Sequence, residues 1–318
     1  MIILTGGAGF VGSNLLGALN SRGVADVLVV DRRGDNFRNL RDLRFSDFML
    51  PAEFARAIER KALPAKIEAI FHQGACADTT CQDGRYMIGN NFTFSKLILN
   101  FALSNKTPLV YASSAAVYGS SSAFTPSRDN ECPLNLYGLS KLAFDNHVRS
   151  VLTKSECTVA GLRYFNVYGP REFHKGNMAS MVYQLYRQLK ESGRARLFKG
   201  TNGYADGEQR RDFVFVDDIV RVNLALAEGP VRRGIFNVGT GHSRTFNDVA
   251  QTIISQLDKG AIDYIPLPAN LAGKYQSFTQ AELSELRNAG YNEPFSTLES
   301  GIMQSLDAWN RESQSVTD

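Results

Sequence analysis

The feature that most constrains this chain lies in its first dozen residues. Ile2-Ile3-Leu4-Thr5 is a short apolar run with strand character, and Gly6-Gly7-Ala8-Gly9-Phe10-Val11-Gly12 follows it directly. Glycines at 6, 9 and 12 let the backbone turn sharply out of a strand and into a helix, here over roughly Gly12–Ser21. The next apolar run, Val27–Val30, closes on Asp31. A strand, glycine turn, helix and second strand make a βαβ unit, which commits the chain to a parallel sheet with helices on its faces.

The rhythm continues. Ala69–Phe71 and Leu109–Tyr111 read as buried strands, with a long helical pattern from about Tyr86 to Ser104 between them. Tyr137–Leu152 reads as helix and Val159–Tyr164 as strand. After Phe165 the pattern breaks into a glycine- and charge-rich segment reaching Arg211, with one helical pattern near Met178–Lys190. Phe213–Val216 (FVFV) and a helix opened by Asp217 or Asp218 return to the style of the sheet, and beyond Gly241 the chain is peripheral again. We therefore expect an α/β fold: a doubly wound parallel sheet of Rossmann type from residues 1–166 and 212–241. A second, smaller, discontinuous lobe would come from 167–211 and 242–318.

At 318 residues the chain can bury a large core. Its net charge of +3 and scattered basic residues argue against nucleic acid or a membrane surface as partner. No apolar stretch approaches the ~20 residues of a membrane span. The N-terminus lacks the features of a signal peptide, so a cytoplasmic protein is expected. Cys76, Cys81, Cys132 and Cys157 show neither C-x-x-C spacing nor a disulfide framework, and reduced thiols are expected. His72, Cys76 and Cys81 lack a fourth ligand at sensible spacing, so no metal site is expected; His147 and His242 read as structural or exposed.

The glycine turn has a ligand chemistry. Small residues at Gly6, Gly9 and Gly12 let backbone N–H groups and a helix N-terminus approach a pyrophosphate. Asp31 falls 19 residues after Gly12, where an acid holds the adenosine ribose hydroxyls of a dinucleotide. Asp31 alone points to NAD. Arg32 and Arg33 follow at once and Arg38 is near, and guanidinium groups there suit a 2′-phosphate, so NADP is favoured with NAD left open.

A second constellation can move protons. Tyr137-Gly-Leu-Ser-Lys141 opens a helix, so the i, i+4 spacing puts the phenol and the ammonium on one face. A cation beside a phenol lowers its pKa from ~10. Ser114 lies just past a strand's carboxyl end, where such sheets place ligands, and its hydroxyl can bond a carbinol or carbonyl oxygen.

TGGAGFVGSN, YASSAAVYG, YGLSK, RYFNVYGPR and RRDFVFVDD together resemble the extended short-chain dehydrogenase/reductases, the nucleotide-sugar epimerases and dehydratases, over nearly the whole chain. HKGNMAS (174–180), LFKGT (197–201), FHQGACADTT (71–80) and GKYQSFTQAEL (273–283) resemble one group within them, the ADP-heptose 6-epimerases, which make the heptose precursor of the lipopolysaccharide inner core. The resemblance implies a catalytic trio of Ser114, Tyr137 and Lys141, with Lys175 as a second acid/base. It implies cofactor contacts from Phe10, Val11, Asp31, Arg32, Asn90 and Val167, and from Gln73, Gly74, Ala75, Cys76 and Ala77, beside the glycines and the Tyr137, Lys141 and Lys175 side chains. Asn166, Asn177, Gln184, Phe198, Lys199, Gly200, Thr201, Arg211 and Tyr275 would line the ADP-heptose site in the smaller lobe. It also implies a homo-oligomer, a pentamer.

The chemistry explains a second proton-transfer group. A hydride taken on one nicotinamide face must return from that face, so inversion requires the intermediate ketone to turn. Its oxygen then leaves Tyr137, and Lys175 would serve the turned orientation. Arg171 and His174 are expected to depress the Lys175 pKa by like charge. Arg211 suits a diphosphate, unless it pairs with Asp212. A dehydratase would need an acidic pair where Ala115 and Ala116 stand; a hexose 4-epimerase and a non-enzymatic dinucleotide sensor remain as alternatives.

Overall fold

The computed structural model describes residues 1–268 and 275–314. Gly273 and Lys274 of the GKYQSFTQAEL motif lie outside the described residues. The main sheet has seven parallel strands: β1 (Ile2–Thr5), β2 (Val27–Val30), β3 (Asp47–Met49), β4 (Ala69–His72), β5 (Leu109–Ser114), β6 (Val159–Tyr164) and, later in the chain, Arg233–Val238. Read across the sheet, the order is Arg233–Val238, β6, β5, β4, β1, β2, β3. The chain therefore leaves β1 in one direction and returns to its other side at β4, which opens a crevice at the carboxyl ends there.

Strand periodicity sorts the core. Leu4, Val29 and Phe71 point to the face covered by α1 (Phe10–Ser21), where Leu15, Leu16 and Leu19 are buried. Ile3, Leu28, Val30 and Ile70 point to the other face. There they meet Phe54 of α2 (Pro51–Glu59) and residues of the helical stretch that begins with α3 (Gly84–Ile88), continues as α4 (Phe94–Ser104), and packs against α5 (Leu136–Val151). Each fully buried Leu or Val contributes about 1.5–3 kcal/mol.

Two expectations change. The helix read over Tyr86–Ser104 is interrupted by a π turn at Gly89–Thr93, from which the Asn91 side chain donates to the Cys76 carbonyl and the Ser140 hydroxyl. FVFV does not rejoin the main sheet: Asn166–Tyr168 (β7) pairs in parallel with Phe213–Phe215 in a separate two-stranded sheet, and the next helix starts at Val216, before either aspartate.

The smaller lobe packs α6 (Met181–Ser192) and the helices Phe246–Leu257 and Leu298–Gln314 around the parallel pair Arg194–Phe198 and Ala261–Ile265. Trp309, Leu185, Leu189 and Ile253 are buried at its centre, and Phe10, Phe213 and Phe215 join the same cluster. Phe10 thus ties the glycine turn to the second lobe. Among the described residues no helix is long and apolar enough to cross a membrane.

Candidate active site

The site grows from two close backbone approaches. Gly6 leaves β1 with φ 69°, and a side chain there would strike the backbone of Gly74 beyond β4. A Cβ on Gly12 would collide with the Gly6 carbonyl oxygen. The N-terminus of α1, with Gly9 as N-cap, therefore opens onto the crevice, and its unpaired N–H groups and dipole make an anion seat. At the end of β2, the Asp31 carboxylate accepts from Ala8 N (2.9 Å) and Arg32 N (2.7 Å). Burial pushes its pKa up against those bonds.

Two adjoining cavities share Gly6, Asp31, Gly74 and Ala75. The first, about 510 Å³, is lined by Asp31, Arg32, Cys76, Tyr86 and Asn90. The Arg32 guanidinium bonds the Tyr86 hydroxyl and Asn90 Oδ1 and stacks 5.2 Å from the Tyr86 ring centroid. The arginine cluster read after Asp31 is not one group. Arg33 is exposed and does not line the cavity, and Arg38 instead stacks on Phe173 at 4.5 Å.

The second cavity, about 570 Å³, gathers Gly9, Phe10, Val11, Gly12, Gln73, Ala77, Ser114, Tyr137, Lys141, Asn166, Val167 and Lys175. Ser114 ends β5; its Oγ caps the following turn through Ala116 N (3.1 Å) and is a hydrogen-bond partner of Tyr137. Lys141 lies one helical turn beyond Tyr137, with Nζ 5.9 Å from the phenol ring centroid. That Nζ donates to the Ala112 carbonyl (2.8 Å). Burial brings Lys141 down to about 8, with Asp145 opposing. The Tyr137 expectation reverses: burial pushes this phenol up, and Ser114 alone pulls it down, because the Lys141 ammonium is turned to the Ala112 carbonyl. Asp145, completely buried, accepts from Tyr111 OH (2.9 Å), Ser113 Oγ (2.9 Å) and Arg163 Nε (3.0 Å), which holds α5 against β5 and β6.

Lys175 reaches the cavity from a 3₁₀ segment, Phe173–Met178, kinked at Gly176 (φ 52°, ψ −124°). Its Nζ lies 4.9 Å from the Phe10 ring centroid. Burial lowers its pKa and Glu172 opposes that, so desolvation, not like charge from Arg171 and His174, is the cause. Arg171 turns away to the Asn39 carbonyl, and burial takes His174 down to about 4, which leaves it neutral.

The remaining residues expected at the site gather in the smaller lobe, outside both cavities. Arg211 is stacked 5.1 Å from the Tyr275 ring, which packs edge-on to Phe198. Its guanidinium reaches the Arg210 and Gln276 carbonyls, and among the described residues it has no carboxylate partner. Asp212 is satisfied elsewhere, by Thr240, Gly241 and Ala281. Gln209 Nε2 bridges the Lys199 carbonyl and Thr201 Oγ1, and Gly200 N donates to Asp206. Gln184 Nε2 donates to the carbonyls of Asn177 (3.2 Å) and Ala179 (2.8 Å), so here it braces the Lys175 segment.

Several supporting residues carry no sequence signal. Asn91, in the π turn, bonds both backbone groups of Cys76 and the Ser140 hydroxyl, joining the Gln73–Ala77 turn to α5. Tyr164, Gln73 and Asn223 close a ring of three hydrogen bonds behind the cavity. His72 bonds Thr5 and Ser95, and burial takes it down to about 3.

Residues 2–239 match the NAD dependent epimerase/dehydratase family. The chain belongs to that family. It is 53% identical, over 97% of each sequence, to the ADP-L-glycero-D-manno-heptose-6-epimerase of Alkalilimnicola ehrlichii. The crystal structure of the Helicobacter pylori ADP-L-glycero-D-manno-heptose-6-epimerase superposes with a TM-score of 0.84 at 34% identity, covering 96% of this chain and 95% of that one. A UDP-N-acetylglucosamine 4-epimerase from Methanobrevibacter ruminantium reaches the same TM-score at 22% identity over 98% of each chain, a likeness of fold alone. The chain is an epimerase, hence an isomerase, of this family.

Proposed function

We propose that this chain interconverts ADP-D-glycero-D-manno-heptose and ADP-L-glycero-D-manno-heptose, inverting C6 of the heptose with tightly bound NADP and no net redox change. The observation that carries this reading is that one cavity holds both Tyr137, with Ser114 and Lys141, and Lys175 from a different element. The identity to the Alkalilimnicola enzyme supports the substrate.

The residues present fit a dinucleotide. The glycine cradle at Gly6 and Gly12 leaves room that a Cβ would fill, α1 offers its N-terminus, and Asp31 and Arg32 line the adenosine end. When bound, the cofactor supplies reversible hydride acceptance at C6. Ser114 holds the C6 oxygen and Tyr137 takes its proton, while Lys141 orients the ribose. After the ketone turns, its oxygen is out of reach of Tyr137, and Lys175 donates the proton there. Lowered by desolvation, Lys175 is a better acid than a solvated lysine. Arg211, stacked on Tyr275 and with no carboxylate partner among the described residues, would pair with the diphosphate from the smaller lobe of residues 167–211 and 242–318. The homo-oligomer, a pentamer, belongs to the same proposal and is read by light scattering.

Incubation with ADP-D-glycero-D-manno-heptose should yield the L-glycero epimer without accumulation of reduced cofactor, and UDP-glucose should remain unchanged. Turnover of UDP-glucose alone would make the chain a hexose 4-epimerase. Steady cofactor reduction would make it a dehydrogenase, and inertness toward both a sensor. Arg32→Ala should weaken NADP by ~10–100-fold and NAD much less; equal losses would remove the 2′-phosphate from the account.

A further inference from the structure

Glu172 has no part in the chemistry above, yet it is completely buried three residues before Lys175. Its carboxylate gathers the two ends of the segment that carries Lys175. Gly169 N donates to Oε1 (3.1 Å) on one side; Ser180 N to Oε2 (2.6 Å) and Ser180 Oγ to Oε1 (2.8 Å) close the other. Ser180 is itself the N-cap of α6, accepting from Tyr183 N (3.1 Å), so the carboxylate welds the loop to the start of a helix. From one anchor to the other, the segment carries three positive-φ residues, Gly169, Arg171 and Gly176. A neutral polar side chain could staple a loop. A buried charge is a costly choice unless a counter-charge shares the site.

We propose that Glu172 is the positioning residue of the second proton-transfer group: its carboxylate anchors both ends of the segment that carries Lys175 and supplies the counter-charge to the ammonium. This rests on the reading of Lys175 as an acid/base. Among the described residues, the charges around the pair are few. On the segment itself stand Arg171 and His174, the latter neutral; Asp35 and Arg38 come from the 35–40 turn, and Tyr183 from α6. Glu312 of the last helix pairs with the Arg171 backbone (3.3 Å). The charge that acts on Lys175 is Glu172, and it opposes the desolvation that lowers the lysine; burial raises the Glu172 carboxyl, against a downward pull from Lys175 and from the Ser180 and Gly169 hydrogen bonds. Without that carboxylate, burial alone acts on the ammonium, and Lys175 must lose its proton at lower pH.

The test reads Lys175 directly. In full-length wild type and E172Q, amine-reactive labelling of Lys175 is followed across pH by mass spectrometry, beside pH–rate profiles of epimerisation. The labelling midpoint should fall by about 1 pH unit in E172Q. The inflection of the rate profile that K175M abolishes should fall with it. E172D keeps the charge but draws it back by one methylene, so it should give a smaller shift in the same direction, and it serves where E172Q fails to fold. Unchanged midpoints in the folded variant, whatever the loss of rate, would leave Glu172 a staple and overturn the proposal. Should K175M epimerise within a few-fold of wild type while the midpoint still falls in E172Q, the acid/base reading of Lys175 fails on its own account.

Discussion

Lys141 and Lys175 line the same cavity, yet they reach it from opposite kinds of backbone. Lys141 projects from a regular sixteen-residue helix, is nearly buried, and has its ammonium fixed on the Ala112 carbonyl. Lys175 stands on a kinked 3₁₀ turn between positive-φ residues, with an aromatic face and a carboxylate charge for company and, among the described residues, no hydrogen bond at Nζ. Each has a buried acid close in sequence, Asp145 four residues after and Glu172 three before. The difference fits the proposed division of labour. A group that must hold a cofactor ribose and a fixed phenol profits from a rigid helix. A group that must meet an oxygen only after the substrate has turned profits from a freer ammonium on a segment pinned at its ends.

Removing the phenol from the rigid station should have the largest effect. Tyr137→Phe should cut epimerisation by ~10³–10⁴-fold while the purified protein keeps its nucleotide, read by release and chromatography. Lys175→Met should cost ~10²–10³-fold in epimerisation. Dismutation of an analogue with an aldehyde at the reacting carbon needs no turning, so Tyr137 should sustain it in that variant. Equal losses in both assays would erase the distinction between the stations.

A third expectation concerns stability. The folded-state pKa of Lys141, about 8, lies below the unfolded value of 10.5, so between them the unfolded chain binds more protons. The cost is present in full below about 8 and is relieved as pH rises. The unfolding free energy should therefore climb by roughly 3 kcal/mol across that window relative to Lys141→Met, measured by denaturant titration at each pH. A constant difference between the two proteins would mean that the ammonium is not desolvated. The smallest effect is at the loop. Ser180→Ala removes an N-cap and one bond to Glu172, and should lower the unfolding free energy by about 1 kcal/mol.

The same contrast marks how far the sequence could be read. The rigid half is legible because periodicity and spacing encode it: alternating residues place Leu4 and Val29 on one face and Ile3 and Leu28 on the other, and i, i+4 joins Tyr137 to Lys141. The loop half is not, because its geometry comes from contacts distant in sequence. Nothing near Glu172 announces that both its oxygens turn back on Gly169 and Ser180, and Asn91 sits in what reads as an uninterrupted helix. FVFV has sheet character but among the described residues pairs with Asn166–Tyr168, with Phe213 and Phe215 in the second lobe's cluster and Val214 in the main core. The direction of the Tyr137 shift is illegible for a similar reason, since the spacing gives the neighbour but not where its ammonium donates.

The near-contact of Gly6 and Gly74 bears on how this protein can be re-engineered. A methyl group on Gly6 would strike the Gly74 backbone, and one on Gly74 would press on Gly6 N, so a designer who wishes to keep the cavity shape has little room at this cradle. The Asp31–Arg32 rim is under no such constraint: Arg32 is exposed and held by side chains rather than by backbone. Under the proposed cofactor reading, retargeting the protein from one nicotinamide coenzyme to the other becomes a problem of a few rim positions, Arg32 with Tyr86 and Asn90, away from the sheet beneath them.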